Sequence, residues 1–219
     1  MKYCIIIALL FSRTAIAQTD LPVRLLIAPD TTKPVIFYIS GDGGWNDFST
    51  SLVAAVHAKG YTVASLNAKS YFWEKRTPEE AAAAIGNYIT SVIRPKAAQP
   101  IVLVGYSFGA DVVPFIVKKM PADVSGKCRA VVLLSPSSST DFEIHISELL
   151  GWGKKRKMDV VAAVNELTDI RISAVFGDDE KEFPITEIHN HHFLYRHLPG
   201  GHHYESNMNM VAAAVIAGF

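Results

Sequence analysis

The 219-residue sequence has only two cysteines, and its 21 basic and 21 acidic residues leave no net formal charge. Cys4 lies in the N-terminal apolar segment, so Cys128 has no partner in the remainder and no internal disulfide is expected. Standing beside the apolar run Ala130 to Leu134, Cys128 reads as a small core residue. The balanced charge argues against a nucleic-acid surface, which needs a basic excess. No apolar run approaches the ~20 residues of a membrane-spanning helix. There is no H-E-x-x-H and no Cys pair to hold zinc. The glycine-rich run Gly41-Asp42-Gly43-Gly44 lacks the Lys-Ser/Thr of a phosphate-binding loop. No metal and no cofactor is expected.

What is present begins with an address. Met1 to Gln18 carries one Lys, an apolar run from Cys4 to Phe11, Arg13, and then Ala15-Ile16-Ala17. Small residues at the third and first positions before a cut are what signal peptidase reads, so cleavage after Ala17 is expected. No Cys follows the run to take a lipid. Residues 18–219 then form one domain, long enough for a substantial core.

Along that domain, apolar β-rich runs alternate with helical spacing, the pattern of a mostly parallel α/β sheet covered on both faces. Strands are expected at Val35–Ile39, Tyr61–Leu66, Ile101–Val104, Ala130–Leu134, Ile170–Phe176 and Phe193–Leu198. Helices are expected from Trp45 to Lys59 ahead of Gly60, from Thr77-Pro78-Glu79-Glu80 to about Ile93, from Phe108 to Lys119, and from about Ser206 onward. Ser135 to Met158 is the least regular stretch, a short cap or a long connection.

Gly105-Tyr106-Ser107-Phe108-Gly109 falls between a strand and a helix, where G-x-S-x-G makes a nucleophile elbow in an α/β hydrolase. A serine hydroxyl is a poor nucleophile without a base, and this architecture supplies an acid and then a His, in that order. Gly177-Asp178-Asp179-Glu180 follows one strand; Glu180 is the favoured acid, with Asp179 and Asp178 as alternatives. Gly200-Gly201-His202-His203 follows the last strand; His202 is favoured as base over His203. The N–H of Phe108 and one from Asp42 or Gly43 would form an oxyanion hole.

His189, His191, His192, His197, His202 and His203 crowd together but read as a surface loop and a base rather than a zinc site. Trp152, Lys154 and Lys155, in the run Gly151 to Lys157, form either a solvated turn or a contact with anionic lipid head groups. Asp42 and Asp111 could meet a cationic substrate group, although Asp111 also suits the first turn of a helix.

YISGDGGW, GYSFGADVVPF, LLSPS and LPGGHH together resemble the VirJ/AcvB family of exported bacterial proteins, from Val35 to the C-terminal helix. The resemblance implies a periplasmic α/β hydrolase acting on aminoacyl-phosphatidylglycerol, with Ser107, His202 and one of Asp178 to Glu180 as its triad. It also implies a link to virulence and to type IV secretion proteins as partners. A secretion accessory with an idle hydrolase fold, and a general periplasmic esterase or thioesterase, are the rival expectations.

Overall fold

Val35-Ile36-Phe37-Tyr38-Ile39 is apolar on both faces, and only a strand with packing on each side can bury such a run. It is β2 of a seven-stranded sheet. The computed structural model describes residues 21–144 and 156–219. The other strands of the sheet are β1 (Val23–Leu26), β3 (Thr62–Leu66), β4 (Ile101–Tyr106), β5 (Cys128–Leu134), β8 (Arg171–Gly177) and β9 (Phe193–Leu198). Their spatial order is β1-β3-β2-β4-β5-β8-β9. Only β1 is antiparallel to its neighbour; every other pairing is parallel. The carboxyl ends of β4, β5, β8 and β9 therefore lie along one edge, and that edge carries the site.

The helices are α1 (Asp47–Ala58), α2 (Ala68–Tyr71), α3 (Pro78–Tyr88), α4 (Phe108–Lys118), α5 (Ala122–Ser125), α6 (Val160–Asn165) and α7 (Met208–Ile216). Local chemistry fixes their starts. Thr77 and Glu80 form a reciprocal capping box ahead of α3, with Pro78 in the first turn. Asn46 accepts the Ser49 N–H at the start of α1, two residues later than the expected Trp45. Beyond Tyr88 the helix widens into a π turn, Ile89–Ile93, and ends at Arg94 with φ 51°.

The sheet divides the core into two layers. Ala81 and Ile85 of α3, Val112 and Ile116 of α4, and Val160 and Val164 of α6 pack on one face with Phe37, Leu103 and Leu133. Leu52 and Val56 of α1 and Val211 and Val215 of α7 pack on the other with Ile36, Val104 and Val132. The irregular stretch after β5 is tied at its base, where β6 (Ser139–Thr140) pairs antiparallel with β7 (Met158–Asp159). Residues 145–155 of that stretch, read as a short cap or a long connection, lie outside the described residues.

Leu103 is fully buried at the centre of the central strand. Leu103→Ala should lower the unfolding free energy by about 2–5 kcal/mol in urea titration, because transfer and cavity costs add; a loss well under 1 kcal/mol would contradict this packing.

Candidate active site

The turn at the end of β4 is possible because its flanking residues have no side chains. A Cβ on Gly105 would stand 2.3 Å from the Gly109 carbonyl oxygen, and one on Gly109 would stand 2.2 Å from that of Ile39. Neither contact is physically tolerable. Between them Ser107 adopts φ 52°, ψ −119°, a conformation that side-chain-bearing residues avoid. Its N–H donates to the Leu134 carbonyl at 2.8 Å, fixing the bend across the end of β5. The half-buried side chain stands at the start of α4.

Two loops bring partners to Ser107 Oγ. Beyond β9, Gly200 takes φ 89° and turns the chain toward His202. Gly177 lets that loop pass, since a Cβ there would meet the Gly201 carbonyl oxygen at 2.4 Å. The Tyr106 hydroxyl donates to the His202 carbonyl at 3.1 Å. His202 Nε2 then lies 2.9 Å from Ser107 Oγ, and Nδ1 lies 2.7 Å from Oε1 of Glu180.

Glu180 reaches this position because its N–H closes a tight turn onto the Gly177 carbonyl at 3.0 Å. Its Oε2 accepts the Gly177 N–H and the Ser135 hydroxyl, each at 2.7 Å. Partial burial pushes the carboxyl up, but the bonds from His202, Ser135 and Gly177 outweigh it and hold the group below the usual glutamate value. Glu180 is ionised at neutral pH.

The remaining expected residues fall in different places. Asp178 and Asp179 are exposed on the turn that delivers Glu180. His203 is exposed, its ring edge-on to Phe48 at 5.7 Å. The Phe108 N–H heads α4, where no carbonyl of its own helix can satisfy it. Asp42 and Gly43 form the tip of a turn closed by the Gly44 N–H on the Gly41 carbonyl at 2.9 Å. Gly41 makes the close approach, for a Cβ on it would lie 3.4 Å from Ser107 Cβ. His189, His191 and His192 are exposed ahead of β9.

Asp111 corrects an expectation. Only 1 % of its surface is exposed, so it is not presented to a substrate. Oδ1 accepts the Ser137 N–H at 2.6 Å and Oδ2 lies 3.4 Å from Arg156 Nη1. Burial raises its pKa to about 7 from the usual 3.8, against the opposing pull of the Ser137 N–H and Arg156. Arg156 therefore turns inward from the basic run instead of standing in solvent. Trp152, Lys154 and Lys155 lie outside the described residues. Cys128 is partly buried and packs against the core, and burial pushes its thiol up to about 12.

Two residues with no role assigned from the sequence belong to the site. Ser135 and Tyr204 are buried beside Glu180, their oxygens 2.6 Å apart. Ser135 lies within the LLSPS segment, but nothing in that string announces its bond to an acid 45 positions away. A cavity of about 370 Å³ opens between the ends of β5 and β8, lined by Ser135 to Ser138, Phe176, Phe183, Glu180 and His202.

A serine on a strand-to-helix elbow, followed along the chain by an acid and a His, defines the α/β-hydrolase class. Solved structures share this fold. A lipase-esterase related protein from Clostridium acetobutylicum superposes with a TM-score of 0.63 at 18 % identity, covering 90 % of this chain and 100 % of its own. Est1E from Butyrivibrio proteoclasticus, with ferulic acid bound, gives 0.61 at 16 %, with 89 % and 92 % covered. A putative thioesterase from Silicibacter gives 0.57 at 20 %, with 89 % and 80 % covered. No curated protein matches in sequence. The family described as bacterial virulence protein (VirJ) matches residues 33–219, and the chain belongs to that family.

The buried Asp111 carboxyl gives a signed pH effect. With its pKa raised in the fold, the native state holds a proton that the unfolded chain gives up, so its contribution to stability is complete below about 4 and is lost as pH rises through about 7. Asp111→Asn mimics the protonated form, so the variant should gain stability relative to the wild type between pH 4 and pH 8 in urea titrations. A difference independent of pH would contradict the raised value.

Proposed function

We propose that this protein is a periplasmic serine hydrolase that cleaves the aminoacyl ester of aminoacyl-phosphatidylglycerol, lysyl or alanyl. The observation that carries the catalytic part is the unbroken line from Ser107 Oγ through both nitrogens of His202 to Glu180. In that line His202 Nε2 takes the hydroxyl proton as Oγ attacks the ester carbonyl, and the Glu180 carboxylate steadies the imidazolium that forms. The N–H groups of Phe108 and of the Asp42–Gly43 turn are the intended donors to the oxyanion. The proton passes to the departing glycerol oxygen, phosphatidylglycerol leaves, and water activated by the same imidazole frees the amino acid.

Esterase and thioesterase neighbours support ester cleavage as the class of chemistry. The lipid substrate rests on the likeness of GYSFGADVVPF and LPGGHH to exported relatives, and the export-type N-terminus fits a periplasmic place of action. Trp152, Lys154 and Lys155 are assigned to contact with the anionic membrane surface.

Purified protein mixed with liposomes containing lysyl- or alanyl-phosphatidylglycerol should release free amino acid. Ser107→Ala should lower that rate on the order of 10⁴-fold or more. Equal rates for the two proteins would remove Ser107 as nucleophile. Cleavage of simple esters with no amino acid released would overturn the lipid substrate.

A further inference from the structure

The acid of the candidate triad is held from behind by two hydroxyls. Ser135 Oγ lies 2.7 Å from Glu180 Oε2 and 2.6 Å from the Tyr204 hydroxyl, which in turn lies 2.9 Å from the Val175 carbonyl. Ser135 is 2 % exposed and Tyr204 fully buried. We infer that Ser135 and Tyr204 are positioning residues for hydrolysis, acting in series to hold Glu180 so that its Oε1 stays aligned on His202 Nδ1. The inference rests on the serine-hydrolase reading and extends it by two residues.

Counting protons fixes the direction of the series. An ionised carboxylate can only accept, so the single Ser135 proton points to Glu180. The 2.6 Å contact must then use the Tyr204 proton, with the Val175 carbonyl as that proton's second acceptor. Burial keeps the Tyr204 phenol protonated and therefore always a donor. Each bond polarises the next in a site shielded from water. With the Gly177 N–H also on Oε2, that oxygen cannot swing, and Oε1 is left for the imidazole.

Backbone conformation argues the same point independently. Ser135 has φ 49° and Tyr204 φ 51°, in the left-handed region where glycine is the easy choice. Ser135 is held there by its own N–H on the Val175 carbonyl at 2.8 Å. Glycine would take either turn with less strain. Ser135 adds an oxygen there, Tyr204 adds a core-packed ring and an oxygen, and both oxygens lead to Glu180.

Two substitutions remove the oxygens and little else. Ser135→Gly keeps a residue at ease with φ 49°, and Tyr204→Phe keeps the ring that packs 6.2 Å from Phe48. Hydrolysis of 4-nitrophenyl acetate by the full chain should show kcat falling about 10- to 100-fold for Ser135→Gly and about three- to tenfold for Tyr204→Phe, with KM within about twofold. In a Glu180→Gln background neither change should cost much more, because the group they hold is already lost. Thermal unfolding of each variant shows that the fold is intact at the assay temperature. Unchanged kcat, or losses of the same size with and without Glu180, would overturn the inference. A wild type that turns over no ester would remove the hydrolase reading first, and the inference with it.

Discussion

An imidazole passes a proton between two oxygens only while both ring nitrogens are held in register. In this molecule that register spans 95 residues on one side of His202 and 22 on the other. Neither partner is near in sequence, so the sheet must bring them together. Parallel strands do this because successive carboxyl ends emerge on the same edge. β4 delivers Ser107 there, β8 delivers Glu180 and β9 delivers His202. Shifting any of these strands by one residue would turn its core side chains to the opposite face and displace the turn it carries.

The cost of the arrangement is visible in the backbone. Among the described residues, the non-glycine positions with positive φ are Arg94, Ser107, Ser135, Tyr204, Glu205 and Ser206. All but Arg94 lie around the candidate triad. Such conformations persist only where surrounding contacts over-determine them. For Ser107 and Ser135 the contacts include main-chain bonds that extend the sheet past its strand ends, Ser107 N–H to Leu134 and Ser135 N–H to Val175, and Asp178 N–H to Leu198 continues the same edge. Gly105, Gly109 and Gly177 serve the same edge by omission, since a Cβ at any of them would collide with main chain. Strain and close approach concentrate where the side chains must converge.

Much of this could be read along the chain. Runs such as VIFYI and AVVLL announce strands because a sheet covered on both faces has no solvent side to signal with polar residues. Gly60, Pro78 and the Thr77–Glu80 pair mark helix ends through local chemistry. Less visible were β1, whose mixed burial follows from its antiparallel place at the sheet edge, and α2, a single turn between larger elements. Position along the chain favours Glu180 among the three carboxylates at 178–180 but leaves the other two open. A bond from the Glu180 N–H to the Gly177 carbonyl turns the third inward and leaves the first two in water. Of the two readings open for Asp111, the first-turn helix acid is the one the structure shows, and burial removes the substrate contact. A helix acid one turn past the serine looks available, yet the Ser137 N–H and Arg156 enclose it from segments distant in sequence. Ser135 and Tyr204 acquire meaning only when β5 and the turn after β9 meet at Glu180.

On the proposed reading, His202 makes the Ser107 hydroxyl nucleophilic. A fluorophosphonate reagent reads this directly: the attacking oxygen bonds to phosphorus, fluoride leaves, and the adduct can be located by peptide mass spectrometry. One label per chain is expected, on the peptide containing Ser107, and it should be lost in His202→Ala. No adduct in the folded wild type, or one on a different serine, would contradict it.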